Sequence, residues 1–116
     1  MPATTIDFLK GTLDLMILKT LSWGPAHGYA IARWIEQCTE DALEVEEGSL
    51  YPALHKLAEK GFIIAEWGLT EHNRQAKIYR LTTAGKKRLR AAHDEWSRFA
   101  GALHKVLESA PRPRPT

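Results

Sequence analysis

Ser49, Tyr51, Pro52, Ala53, His55 and Lys56 stand within one eight-residue stretch, and Arg74 and Lys77 follow after a polar interval. These side chains are suited to holding and reading a polyanion rather than to breaking bonds. Serine donates and accepts at base edges, and the small Ala53 and Pro52 allow close approach and apolar contact with a thymine methyl. Tyr51 and Lys56 suit phosphate oxygens, which fix register without reading sequence. Arg74 stays charged and fits a narrow minor groove. Two plainer readings stay open: Tyr51 as a core aromatic with its hydroxyl at the rim, and His55 as a surface residue.

Signals for catalysis are weak. The histidines at 27, 55, 72, 93 and 104 show no His-Glu-x-x-His or other metal spacing. His93 beside Asp94 reads as a solvated pair. Cys38 has no second thiol and reads as a small core residue. Gly-rich phosphate loops and nucleophile elbows are absent. No cofactor and no metal are expected.

The elements that must position these residues lie between Val45 and Gly85. Leu50, Leu54, Leu57 and Ala58 recur at helical spacing, and Gly61 stops that helix. Pro52 is placed in the first turn, where no backbone N–H is lost. The face opposite the leucines carries Ser49, Pro52, Ala53, Lys56 and Lys60, with Tyr51 and His55 on its flanks. The period then becomes that of strands, over Phe62 to Trp67 and Ala76 to Leu81, with Tyr79 and Leu81 inward and Ile78 and Arg80 outward. The interval GLTEHNRQ reads as a loop too long for a tight turn, its tip formed by His72, Asn73, Arg74 and Gln75. Helix, hairpin and basic tip give the order of a winged helix-turn-helix.

The residues KGTLDLMILKTL, GPAHGYAIA, EEGSLYPALHKLAEKGFI, EWG and YRLTTAGKKRL carry a family resemblance over roughly residues 9 to 90. The chain resembles PadR-family transcriptional regulators, most specifically through GSLYPAL followed by a wing ending in YRLT. That resemblance implies a dimeric DNA-binding regulator, usually a repressor released by a small molecule or a stress signal. It also implies that HGY is a packing feature. Family wings often carry a second basic residue beside the one at Arg74, where this chain has Gln75.

Length and composition fit one domain with one core. No apolar run is long enough to span a bilayer, and MPATTIDFLKG lacks the features of a secretion signal, so a cytoplasmic protein without membrane contact is expected. Charge is unevenly distributed. Residues 1–44 hold three Lys/Arg against six Asp/Glu, whereas residues 45–90 hold nine against five. The basic excess thus gathers where phosphates would be met. Lys86, Lys87, Arg88 and Arg90 fit either that footprint or a solvated helix.

Before the reading helix, a first helix is predicted from Ile6 or Asp7, with Asp7 as N-cap. Leu9, Leu13, Met16, Ile17 and Leu21 form one stripe, and Phe8, Leu15 and Leu18 a second, which predicts that a partner subunit covers the second. Trp23-Gly24-Pro25 ends it. A supporting helix follows, with His27 at the cap position and Ile31, Trp34, Ile35 and Cys38 on one face. The acidic TEDALEVEEG is the turn to the reading helix, with Val45 in a short strand beside the wing.

After the wing, Thr82 and Thr83 offer caps for a last helix from about Ala84 to Leu107. Leu89, Ala92, Trp96, Phe99, Leu103 and Val106 recur there at intervals of 3, 4, 3, 4 and 3, a heptad seam. The expected architecture is mainly α with a small antiparallel β-hairpin: a winged helix-turn-helix over 1–83, a C-terminal dimerisation helix over 84–108, and a disordered Pro/Arg tail over 109–116. Trp96 and Phe99, with Leu13, Met16 and Ile17 as neighbours, form either a plain dimer core or a site for a flat apolar effector. The expected function is sequence-specific binding of double-stranded DNA by a homodimeric repressor. The alternative is a winged-helix module that binds protein without reading DNA.

Overall fold

The computed structural model describes residues 4–5 and 11–113. In chain order it contains β1 (Thr4–Thr5), α1 (Thr12–Leu21), β2 (Ala26–His27), α2 (Gly28–Cys38), β3 (Leu43–Glu44), α3 (Glu47–Glu59), β4 (Ile63–Leu69), β5 (Gln75–Leu81) and α4 (Thr83–Leu107). α1 opens at Thr12, after Gly11 with its left-handed φ of 87°; the predicted helix start at Ile6 lies outside the described residues. Asp7, Phe8 and Leu9 lie outside the described residues. Leu13, Ile17 and Leu21 of the first predicted stripe are buried, but so is Leu18 of the second, at 1% exposure. The domain's own core therefore covers Leu18, and no partner is needed for it.

Residues α2, the following turn and α3 form the helix-turn-helix. Ile31 and Ile35 bury one face of α2 against Leu50, Leu54 and Leu57 of α3. Cys38 is exposed, contrary to its reading as a core residue, because it lies past the last inward turn of α2. Glu40 and Asp41 turn the chain with left-handed backbones (φ 52° and 62°). Val45 is buried, and its N–H donates to Glu36 Oε2 at 3.1 Å. It forms no strand beside the wing; β3 precedes it and pairs in parallel with β1.

Since α3 begins at Glu47, Pro52 is its sixth residue and sits in the second turn, not the first. The carbonyl of Gly48 consequently loses its i+4 donor. At the other end Gly61 takes φ 79°, with Gly61 N–H donating to Ala58 O (3.0 Å) and Phe62 N–H to Leu57 O (3.0 Å). This is the two-bond stop that a left-handed glycine permits.

The wing is a three-stranded antiparallel sheet in the order β2-β5-β4. The third strand comes from the two residues before α2, with Ala26 opposite Tyr79 and His27 opposite Ile78. As predicted, Tyr79 and Leu81 face the core. The hairpin is tighter than the sequence implied. Leu69 pairs with Gln75, and the turn between them closes through Asn73 N–H to Thr70 O at 2.9 Å. Asn73 accepts a φ of 61° there.

Thr82 caps α4, its Oγ1 accepting from Gly85 N–H at 3.0 Å. Only the start of α4 joins the core: Gly85 is buried and Leu89 packs against the cluster. The radius of gyration is 17.2 Å, against roughly 13 Å for a compact domain of this length. The difference reflects the distal turns of α4, which project beyond the other elements. Beyond them, residues 109–113 carry no helix or strand.

Candidate nucleic-acid interface

Burying Leu50, Leu54 and Leu57 turns the opposite side of α3 to solvent. Tyr51, Pro52, His55 and Lys56 are exposed there, whereas Ser49 and Ala53 are half-buried and Ala53 packs on the core. Tyr51 is 46% exposed. Its ring lies over the start of α2, so close to Gly28 that an added Cβ would meet its Oη at 3.0 Å. The plain core reading of Tyr51 therefore fails on exposure. His55 Nε2 lies 2.9 Å from Glu59 Oε1, an exposed i,i+4 contact of small energetic weight.

The wing supplies the facing wall. Thr70 organises its tip: Thr70 N–H donates to Arg74 O (2.8 Å), and Thr70 Oγ1 accepts from His72 N–H (3.3 Å) and Arg74 N–H (3.2 Å). The backbone of Arg74 is thus fixed while its side chain stays exposed. Lys77 sits opposite Trp67, its Nζ 5.9 Å from the indole centroid. That contact orients the ammonium without neutralising it. Arg80 is different, since Glu66 holds it at 3.0 Å on the outer face of the sheet.

Between α3 and the wing lies an open concavity of about 870 Å³. Tyr51 and His55 line one side, His72, Arg74 and Lys77 the other, and His27 at the end of β2 and Tyr29 of α2 close it. No Asp or Glu is among its lining residues. Four of the expected contact residues thus share one concavity, while Ser49, Pro52, Ala53 and Lys56 lie on α3 beside it. Among the described residues no group of three or more His, Cys, Asp or Glu is placed to hold a metal ion. No helix there is long and apolar enough to cross a membrane.

The packing expected of HGY holds for His27 and Gly28, which lies against the Tyr51 ring, but not for Tyr29. His27 Nδ1 accepts from Ala30 N–H at 3.2 Å, so the histidine does cap α2. Tyr29, however, is 68% exposed and stacks parallel to His27, with centroids 6.4 Å apart. Helical spacing held the signal: with Ile31 and Ile35 inward, residue 29 must face out.

Of the five residues assigned to an apolar effector, the structure does not bring all together. Leu13 and Ile17 belong to the domain's buried core and present no surface to a seam; Met16 is half-buried. Trp96 and Phe99 do pair on α4, with centroids 5.8 Å apart.

Tyr79 forms the floor of the concavity. Burial, and secondarily the neighbouring Tyr51, pushes its phenol above the usual tyrosine value. The fold thus favours the protonated form, a contribution that is complete below the ordinary value near pH ~10 and lost as pH rises through the raised one. The stability gap between wild type and Tyr79→Phe is therefore expected to shift in favour of the variant above about pH 10. Urea midpoints on either side of that pH measure it, and a gap independent of pH would contradict the linkage.

The model of the family described as "Transcriptional regulator PadR-like family" matches residues 17–91. A transcriptional regulator of Mycobacterium tuberculosis is 30% identical over 84 residues, covering 72% of this chain and 74% of its own. Among solved structures, a transcriptional regulator from Clostridium thermocellum superposes with a TM-score of 0.79 at 28% identity, over 88% of this chain and 99% of its own. A PadR family transcriptional regulator from Eggerthella lenta gives 0.73 at 28% identity, over 90% and 89%. With a match running from α1 into α4, the chain belongs to the PadR-like family of transcriptional regulators.

Proposed function

We propose that this regulator binds double-stranded DNA in the cytoplasm as a homodimer and acts as a sequence-specific repressor without enzymatic activity. The observation that carries the reading is the carboxylate-free concavity between α3 and the wing. A concavity lined by cations, imidazoles and phenols, and by no acidic residue, complements phosphate. In this reading residues 1–83 hold the DNA. Ser49, Pro52 and Ala53 on α3 approach base edges in the major groove, and Tyr51, His55, Lys56 and Lys77 hold the backbone. Arg74 reaches the neighbouring minor groove. Residues 84–108 join the protomers, which supports an imperfectly palindromic operator with half-sites about one helical turn apart.

A ligand for the seam remains part of the proposal, reduced to Trp96 and Phe99 with Met16. A flat apolar molecule there would release DNA only if it favoured one angle between the two reading helices over another.

Titrating purified protein into short genomic DNA fragments at several salt concentrations tests the central reading. Affinity should fall steeply with salt, through counterion release. Binding that is weak and indifferent to fragment sequence would leave the protein-interaction alternative in its place. Lys56→Ala is expected to weaken all sequences alike and lower the salt slope by about one per half-site. An unchanged slope would return Lys56 to a solvated face. Arg74→Ala is expected to cost most on operators with A·T-rich flanks, where a narrow minor groove concentrates negative potential. Equal losses on A·T-rich and G·C-rich flanks would make Arg74 a general phosphate contact.

A further inference from the structure

The basic residues that the sequence places in one footprint divide between two sites in the fold. Lys77 and Arg74 line the concavity beside α3, but Lys86 and Arg90 do not. They line a second cleft, of about 330 Å³, between the C-terminal end of α1 and the first turns of α4. Lys19 enters it from α1 and His93 from α4, over an apolar floor of Leu81 and Leu89. The first site runs along β5 from Gln75 to Tyr79, whereas the second meets that strand at Leu81.

The electrostatics of this cleft call for an explanation. Arg33, Arg80 and Arg88 each sit against a glutamate (Glu36, Glu66 and Glu95). No acidic residue lines the cleft, and among the described residues no carboxylate lies within ion-pair distance of Lys19, Lys86 or Arg90. Lys86 and Arg90 are like charges at i,i+4, which repel on a helix. Lys86 also stands near the N-terminal, positive end of α4, whose first turn holds no acidic residue; Arg90 lies a turn further on. Lys19 has a local reason for its position, since it follows the α1 dipole and its Nζ lies 4.9 Å from the Trp23 centroid. Neither reason applies to the two cations of α4. Positive potential therefore accumulates from two elements around one concave space with an apolar base.

We propose that this cleft binds a small organic phosphate, with the phosphate held by Lys86, Arg90 and Lys19 and its carbon skeleton resting on Leu81 and Leu89. Arginine offers the fork that matches phosphate geometry, and lysine adds point charge. The volume lies at the small end of ligand sites, roughly 300–1,000 Å³. Since α4 also carries the exposed apolar stripe, an anion held at its first turns would bear on how α4 leaves the domain.

The test uses the full chain without DNA, titrated with phenyl phosphate and with inorganic phosphate at ionic strength held constant with chloride. Amide resonances of Ser22, Lys86, Arg90 and His93 are expected to shift and saturate with both probes. Phenyl phosphate should bind tighter by roughly threefold or more, from burial on the leucine floor. The double variant Lys86→Gln/Arg90→Gln should bind roughly tenfold more weakly or worse, from loss of charged hydrogen bonds. Lys19→Gln, on the other wall, should weaken binding in the same direction. Shifts that merely follow ionic strength, or variants that bind as wild type does, overturn the proposal. A second arm measures DNA binding. If the double variant lowers the DNA salt slope as Lys56→Ala is expected to, the cleft is a DNA backbone contact and the small-molecule site is refuted.

Discussion

Gly85→Ala is expected to destabilise the fold by about 3 kcal/mol or more, at the upper end of what overpacking costs. Gly85 is the third residue of α4 and is buried. A Cβ added there would collide with the carbonyl oxygen of Phe62 and with Leu81 Cδ1. The leucine tip can yield, but the carbonyl cannot. It accepts from Thr82 N–H at 3.1 Å, while Thr82 Oγ1 donates to Gly61 O at 2.7 Å and accepts from Gly85 N–H. Moving Phe62 therefore disturbs the stop of α3, the start of β4 and the cap of α4 together. A melting temperature lower by roughly 10 °C or more would register this loss. Thr82→Ala, which removes the cap and its bond to Gly61 but adds no bulk, should cost only about 1 kcal/mol. A Gly85→Ala melt within a degree or two of wild type would show that α4 can shift away from β4 and that this junction is not rigid.

That junction marks where reading the sequence succeeds and where it stops. The cap at Thr82 and the stop at Gly61 were legible because each follows from local backbone chemistry. The inward faces of α2 and α3 were legible from the spacing of Ile31 and Ile35 and of Leu50, Leu54 and Leu57. The reason for glycine at 85 was not, since the obstructing atom belongs to Phe62, which only tertiary folding brings there. The same holds for β2, two residues that become a strand only because Tyr79 and Ile78 arrive beside them. Leu18 was assigned to a partner because periodicity counts apolar stripes but cannot count the elements available to cover them. Charge showed the same limit. A sum over residues 45–90 located a basic excess, yet only the path of β5 separates Arg74 and Lys77 from Lys86 and Arg90. Helix phase and hairpin order, with the family motif adding to Tyr51, were enough to place Tyr51, His55, Arg74 and Lys77 on the facing walls of one concavity.

The Phe99→Glu/Leu103→Glu variant is expected to be a folded monomer that has lost most of its affinity for operator DNA. Phe99, Leu103 and Val106 are 54%, 46% and 69% exposed, and Trp96 on the same stripe is 38% exposed. None of them belongs to the core cluster, which α4 meets only through Leu89 and Gly85. Charges at 99 and 103 should therefore leave helix content and melting of the single domain nearly intact, while burying them in a helix pair would be prohibitive. If α4 joins two protomers as proposed, splitting that dimer removes the second half-site from each binding event. Linked sites gain roughly 10²–10⁴ over single ones, so operator affinity should drop by a factor in that range. Trp96→Ala tests the same proposed seam from its centre: if a partner buries this tryptophan, truncating it should cost about 3–5 kcal/mol, seen as dissociation at lower dilution. Sedimentation across a concentration series separates the outcomes. A double variant that stays dimeric would remove α4 as the interface, and one that unfolds would place the stripe in the core of the domain. Only a folded monomer with weakened binding agrees with a helix whose apolar stripe is left uncovered by its own chain because a second copy covers it.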